Sequence, residues 1–263
     1  AGSGKSARVL EAIQRERENR PQLLLVPEHT SHEAELDLCR ALGDTASRDG
    51  EVLSFQSLAT RVLSQTGGIS DITLDNGGKI LIMRRALQEV SSYLTVFSKP
   101  SQRPAFLREL VALADELYAY KIAPSLLLQQ VQDIPGAAGD KLRSTALLFG
   151  AYDARLHGGD FDARSKVQKL CDKLPNSDYL LGKDIYIDGF SYFNRTEEDI
   201  IAAALKQANS VTVTLLGDDS DPQLFRNGIQ QRERLRRLAK DAGCSCEVEN
   251  LVRNSDTAFS HLE

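Results

Sequence analysis

The strongest constraint on the fold is a short, continuous apolar run, QLLLVP at residues 22–27, set between two stretches of helical spacing. A run of strand length that is apolar at successive positions, rather than alternate ones, buries both of its faces. That is the environment of a strand inside a parallel sheet covered by helices. Residues 5–19 carry Val9, Leu10 and Ile13 at helical spacing, a turn follows at Arg20-Pro21, and residues 31–42 read as a helix. EVLSF (51–55) predicts a second strand, and SLATRVLSQTGG (57–68) a helix that stops at glycine. The order helix, strand, helix, strand, helix is that of a doubly wound α/β sheet, which a strand just before Ala1 would complete.

The character then changes. From about residue 72 to 180 the periodicity is almost entirely helical, in GGKILIMRRALQEV, FLRELVALADELYAYKI, LRSTALLFGAYDARLHGG and FDARSKVQKLCDKL. The second of these sets Leu107, Leu110, Val111, Ala114 and Leu117 on one face, and Pro100, Pro104, Pro124, Pro135 and Pro175 punctuate the series. Strands return with DIYIDGF (184–190), then a helix over 197–208, the β-branched strand SVTVTLLGDD (210–219), a charged helix LFRNGIQQRERLRRLAKDAG, and CSCEVENL (244–251) as an edge strand. The expected organisation is one α/β domain, residues 1–70 plus 180–263, interrupted by a helical insertion over 71–179.

Composition sets the outer limits. With 263 residues, 41% hydrophobic and 26% charged, the chain has ordinary globular composition and can bury a sizeable core. A net charge of −5 argues against a chain coated in basic residues, without excluding local basic patches. No apolar run approaches the roughly 18 residues of a membrane span, and no secretory signal is visible. Cys39, Cys171, Cys244 and Cys246 read as reduced thiols of a cytoplasmic protein, because a lone C-x-C is no metal signature.

The chemistry begins at AGSGKS. A phosphate-binding loop reads G-x-x-x-x-G-K-[ST]. Gly2, Ser3, Gly4, Lys5, Ser6 and Ala7 fit its second half and the opening of its helix, while the leading glycine falls outside the sequence. Glycines let successive backbone N–H groups face a phosphate, and the helix that follows adds its positive end. Lys5 would reach the outer phosphates of ATP, and the Ser6 hydroxyl would bind Mg²⁺. A Gly/Ser stretch at a chain end is also what a tag remnant looks like, so this motif alone leaves both readings open. The partner of such a loop is an acidic residue ending a buried strand, and IYIDGF supplies Asp188 as a second Mg²⁺ ligand; a turn aspartate before glycine is the competing reading. In active helicases a glutamate follows this aspartate and handles the attacking water, whereas here the position is Gly189. Loss of a positioned general base typically costs about 10²–10⁴ in rate. Glu197 and Glu198 stand at a helix start, where capping is the expected role. Asp218, in TLLGDD, is a candidate polar sensor beside the γ-phosphate, and an Asp-rich turn fits it equally.

Two further stretches, VPEHTSHEAEL and VLSFQSLATRVL, carry a strand end into a helix. Ligands of doubly wound sheets gather at such ends. His29, Thr30, Ser31, Phe55, Ser57 and Thr60 are therefore candidate contacts to single-stranded DNA, with Phe55 stacking on a base. Helix capping by Thr30 or Ser31 and a core role for Phe55 are the plain alternatives. His29 and His32 with Glu33 lack zinc-protease spacing. The basic helix with Arg232, Arg234, Arg236, Arg237 and Lys240 reads first as a solvated face.

The order AGSGKS, LLLVPEHTSHEAEL, EVLSFQSLATRVLSQTGG, IYIDGF, TLLGDD resembles the first RecA-like domain (domain 1A) of superfamily 1 helicases. Its wording is similar to the N-terminal region of the AddB-type subunit of bacterial AddAB helicase–nucleases, where DGF also stands in place of the helicase Asp-Glu. The resemblance covers most of the chain and is least specific in the helical insertion. It implies a RecA-like P-loop parallel sheet with a large all-helical insertion, ATP with Mg²⁺ as ligand, and little or no hydrolysis. It also implies single-stranded DNA, including the Chi recombination signal, as a partner, along with an AddA-type helicase–nuclease subunit in a heterodimer. The family's nuclease and its iron–sulfur cluster belong to a C-terminal part that these residues do not match. A P-loop kinase or ATPase, and an interaction scaffold with a vestigial P-loop, are the alternatives to this reading.

Overall fold

The computed structural model describes residues 3–67, 74–97, 103–131, 134–157, 165–219 and 221–251, without the side chains of residues 44 and 47. The chain divides into two compact units, residues 1–67 with 169–263, and residues 68–168.

The first unit is built on a four-stranded, wholly parallel sheet in the order β2-β1-β3-β4. Helix α1 (Lys5–Glu16) leads into β1 (Gln22–Leu25), and α2 (Ser31–Leu42) with the short α3 (Ala46–Asp49) leads into β2 (Gly50–Leu53). Helix α4 (Phe55–Thr66) follows. After the second unit come β3 (Asp184–Ile187), α10 (Arg195–Gln207), β4 (Ser210–Val213) and α11 (Arg226–Asp241). The fold is α/β and RecA-like, with a helical insertion between α4 and β3.

The apolar run of β1 is buried at every position, as a central strand requires. Leu24 and Val26 face one layer, where Val9 and Ile13 of α1 and Leu38 and Leu42 of α2 join Val52 of β2 and Tyr186 of β3 in one cluster. On the opposite face Leu23, Leu25, Leu53, Ile185 and Ile187 are buried as well. Chain order and strand order reverse at β1: the chain steps outward to β2, then returns to place β3 on the other side of β1. In open α/β sheets ligands bind in the crevice beyond the carboxyl ends of the two strands at such a switch. Pro27 and Glu28 follow β1 there, and Asp188 and Gly189 follow β3.

The second unit contains α5 (Asn76–Val90), α6 (Pro104–Ala119), α7 (Pro124–Gln130) and α8 (Gly136–His157), while α9 (Lys166–Lys173) straddles the boundary in sequence. Its core gathers Met83 and Leu87 of α5, Leu107, Leu110, Val111 and Ala114 of α6, and Leu148, Phe149 and Tyr152 of α8. Side-chain bonds tie the same helices, from Lys79 to Asp115 at 2.7 Å and from Tyr118 to Asp153 at 2.6 Å.

Three sequence expectations need correction. Ser54 and Phe55 do not extend β2, because the Ser54 hydroxyl accepts from the Ser57 backbone N–H at 3.1 Å and starts α4 at Phe55. Strand β4 ends at Val213 rather than running on through the following leucines. Its neighbour β3 ends at Ile187, so after the Thr214 N–H bonds the Ile187 carbonyl at 2.9 Å the ladder has no further partner. Residues 244–251 form no strand. That segment is held by side chains instead, with the Cys244 thiol 3.3 Å from the Leu205 carbonyl and Glu249 3.3 Å from Arg8.

Candidate functional site

The first turn of α1 follows Gly4, whose φ of 77° lies in the left-handed region that favours glycine. No side chain caps this helix, so its leading N–H groups are left for an outside acceptor. Lys5 is half-buried, while Ser6 and Ala7 are exposed. Ser3 is half-buried, and Gly2 lies outside the described residues.

Asp188 leaves β3 with its N–H bonded to the Leu25 carbonyl at 2.9 Å, and its carboxylate is buried. The carboxylate accepts a hydrogen bond from the Thr214 hydroxyl at the end of β4. Thr214 was not legible as a site residue, because only the β3–β4 register brings it level with Asp188. Asp218 is exposed beyond it, and the neighbouring Asp219 is paired with Arg232 of α11 at 2.8 Å. Gly189 follows Asp188 with φ of 83°. Glu197 does not reach back toward Asp188: its carboxylate accepts from the Asn194 N–H at 2.9 Å while Asn194 caps the Glu197 N–H at 3.0 Å, closing a reciprocal box on α10. Burial raises the Glu197 carboxyl, and the Asn194 backbone bond opposes the rise. The buried Glu198 is taken by Arg234 of α11 at 3.3 Å and Arg195 at 3.6 Å.

The loops after β1, β2 and β3 lock together. Glu28 accepts from the Ser54 hydroxyl, tying the β1 loop to the cap of α4. Phe55, only 5% exposed, packs its ring 5.3 Å from that of Phe190, which in turn lies 5.2 Å from the buried Phe193. The Thr30 and Ser31 hydroxyls bond the Pro27 and Glu28 carbonyls at 3.0 and 2.9 Å, and Thr60 bonds the Gln56 carbonyl at 3.1 Å. Ser57 is half-buried beside Ser54, and His29 is exposed on a 3-10 turn, Glu28–Thr30. Two aromatic residues that the sequence motifs did not single out stand at this end of the sheet: Phe190 is half-buried and Tyr192 is 60% exposed. The signal was the aromatic density of DGFSYF directly after a strand.

The family model described as "ADDB, N-terminal" matches residues 1–263. The chain belongs to the AddB N-terminal family. Among its relatives, the AddB-type subunit of the ATP-dependent helicase/deoxyribonuclease of Desulforamulus reducens is 33% identical over 285 residues, covering 100% of this chain and 25% of that protein. The corresponding protein of Clostridioides difficile is 32% identical over 230 residues, covering 83% and 20%, and that of Bacillus mycoides is 30% identical over 288 residues, covering 100% and 24%. The chain thus spans a quarter or less of these AddB-family relatives, whose shared name joins helicase to deoxyribonuclease. No helix among the described residues is long and apolar enough to cross a membrane.

Proposed function

We propose that this chain is the N-terminal, helicase-like part of an AddB-type helicase/deoxyribonuclease subunit acting in recombinational repair of DNA double-strand breaks in the cytoplasm, paired with an AddA-type subunit. It holds ATP and Mg²⁺ without turning ATP over, and it contacts single-stranded DNA, including a Chi sequence, at the carboxyl ends of its strands. The observation that carries this reading is Gly189 after Asp188: a family member built on a helicase-like sheet has a glycine in left-handed backbone where the water-activating glutamate would stand. The residues that would hold the nucleotide are Lys5, on the outer phosphates, and Ser6 and Asp188, in the Mg²⁺ shell. The uncapped first turn of α1 suits a phosphate. The nucleotide's contribution is a fixed polyanion that orders the loops, rather than a bond to be cut.

For DNA, the geometry favours His29 and Tyr192 over Phe55, whose ring is spent on Phe190. A scaffold reading, in which the loop no longer binds nucleotide, finds support in the Asp188 carboxylate, which already accepts from Thr214. Equilibrium binding of Mg-ATP and of a labelled single-stranded oligonucleotide separates the two. The expected outcome is that the chain binds both, and that Tyr192→Ala weakens the oligonucleotide by tenfold or more, as a base stack of about 1–3 kcal/mol requires. An oligonucleotide affinity unchanged by Tyr192→Ala contradicts the placement of the DNA surface, and a chain that binds DNA but no ATP supports the scaffold.

A further inference from the structure

We propose that position 189 is closed to the glutamate that would complete a hydrolytic centre, and that Gly189 is instead a positioning residue that seats Phe190 between Phe55 and Phe193. Only the hydrolytic half rests on the nucleotide reading above.

The β3 chain passes Asp188 and turns at Gly189 with φ of 83°. A side chain there meets two obstacles. The backbone region is one that residues with a Cβ rarely adopt. A Cβ on Gly189 would also stand 3.3 Å from Cδ and 3.7 Å from Cγ of Pro27, across the switch between β1 and β3.

Pro27 has little room to give. Its ring is rigid, the preceding Val26 is buried with its N–H on the Leu53 carbonyl at 3.0 Å, and its own carbonyl takes both the N–H and the hydroxyl of Thr30 at 3.0 Å. The other side of the turn is pinned as well. Asp188 is fixed to Leu25 through its N–H and to Thr214 through its carboxylate, while Phe190 is clamped between Phe55 and the buried Phe193. A turn fixed at both ends and roofed by proline admits one solution, a residue without a side chain. The backbone room that a catalytic glutamate would occupy is what brings Phe190 onto the start of α4.

The chain has no tryptophan, so Phe190→Trp installs a single emitter at the seat. Adding Gly189→Ala is expected to move its emission to longer wavelength and raise its quenching by acrylamide while far-UV circular dichroism is retained. Gly189→Asn, a residue that tolerates left-handed backbone better, is expected to do so less. Should the alanine variant lose its helical signal, the asparagine variant and Gly189→Ala in a Pro27→Ala background, where the roof is removed, make the same comparison. Emission and quenching unmoved by Gly189→Ala overturn the positioning role. Gly189→Glu, with Mg-ATP binding measured on the same sample, is expected to release no more phosphate than the unaltered chain, and clear turnover overturns the closed position. Absence of ATP binding in the unaltered chain counts against the nucleotide reading alone, since the fluorescence comparison decides the glycine independently.

Discussion

The residue that holds the sheet at its amino end is Asp184, the first residue of β3. It accepts from Asn209 and Ser210 beside β4 at 2.7 Å each, and from Gln22 on β1 at 3.3 Å, so one buried carboxylate ties three strands. Burial pushes its carboxyl upward, but the bonds from Ser210, Asn209 and Gln22 and the charge of Arg20 outweigh that and leave it below the usual carboxylate value. A depressed folded-state pKa adds stability that is fully present above the unfolded-state value of about 3.9 and is lost as pH falls through the folded value. Asp184→Ala is therefore expected to lower stability at neutral pH by roughly 2–3 kcal/mol, in line with hydrogen bonds to a charged group. It should also flatten the acid limb of the stability profile, as read by urea melts between neutral and acidic pH. A melt profile unchanged by the substitution would show the carboxylate to be idle. Nothing in the sequence marks Asp184 off from any polar residue at a strand start, since its partners come from two other strands. Asp188, by contrast, is legible because the motif is local. What the motif could not show is Pro27, far away in sequence, standing over the glycine beside it.

At the scale of elements, what is legible in the sequence is what depends on local signals, and what is lost depends on a neighbour. The helix after β3 announces itself through Asn194 and Glu197, and the reciprocal cap is formed. Asn194→Ala should cost about 1 kcal/mol in chemical unfolding. A loss well below that would mean the buried Glu198, gripped by Arg195 and Arg234, anchors α10 without its cap. The strand expected to run past Val213 stops because β3 has already turned away, and residues 244–251 form no strand although their composition allows one. Strand length is a property of the pair and not of either sequence. The helices of the second unit show the opposite case: Leu107, Leu110, Val111 and Ala114 were readable from their spacing alone, and all are buried.

For the whole molecule, the alternation of apolar runs with helical spacing was enough to read a parallel sheet and a helical insertion, because both periods are written along the chain. The strand order was not legible that way, and it is the order that places Pro27 against Gly189 at the switch and Thr214 against Asp188. The carboxyl end of the sheet consequently holds a nucleotide-type loop at α1, an aspartate already bonded by its neighbour, and an aromatic junction where a general base would be. The central claim is that such a sheet holds ATP and does not cleave it. Calorimetric titration with Mg-ATP, followed by phosphate release from the same sample, tests it most directly. Saturable binding that Lys5→Ala abolishes is expected, with no phosphate released above the uncatalysed background. Binding that is absent or indifferent to Lys5→Ala, or sustained release of phosphate, would contradict it.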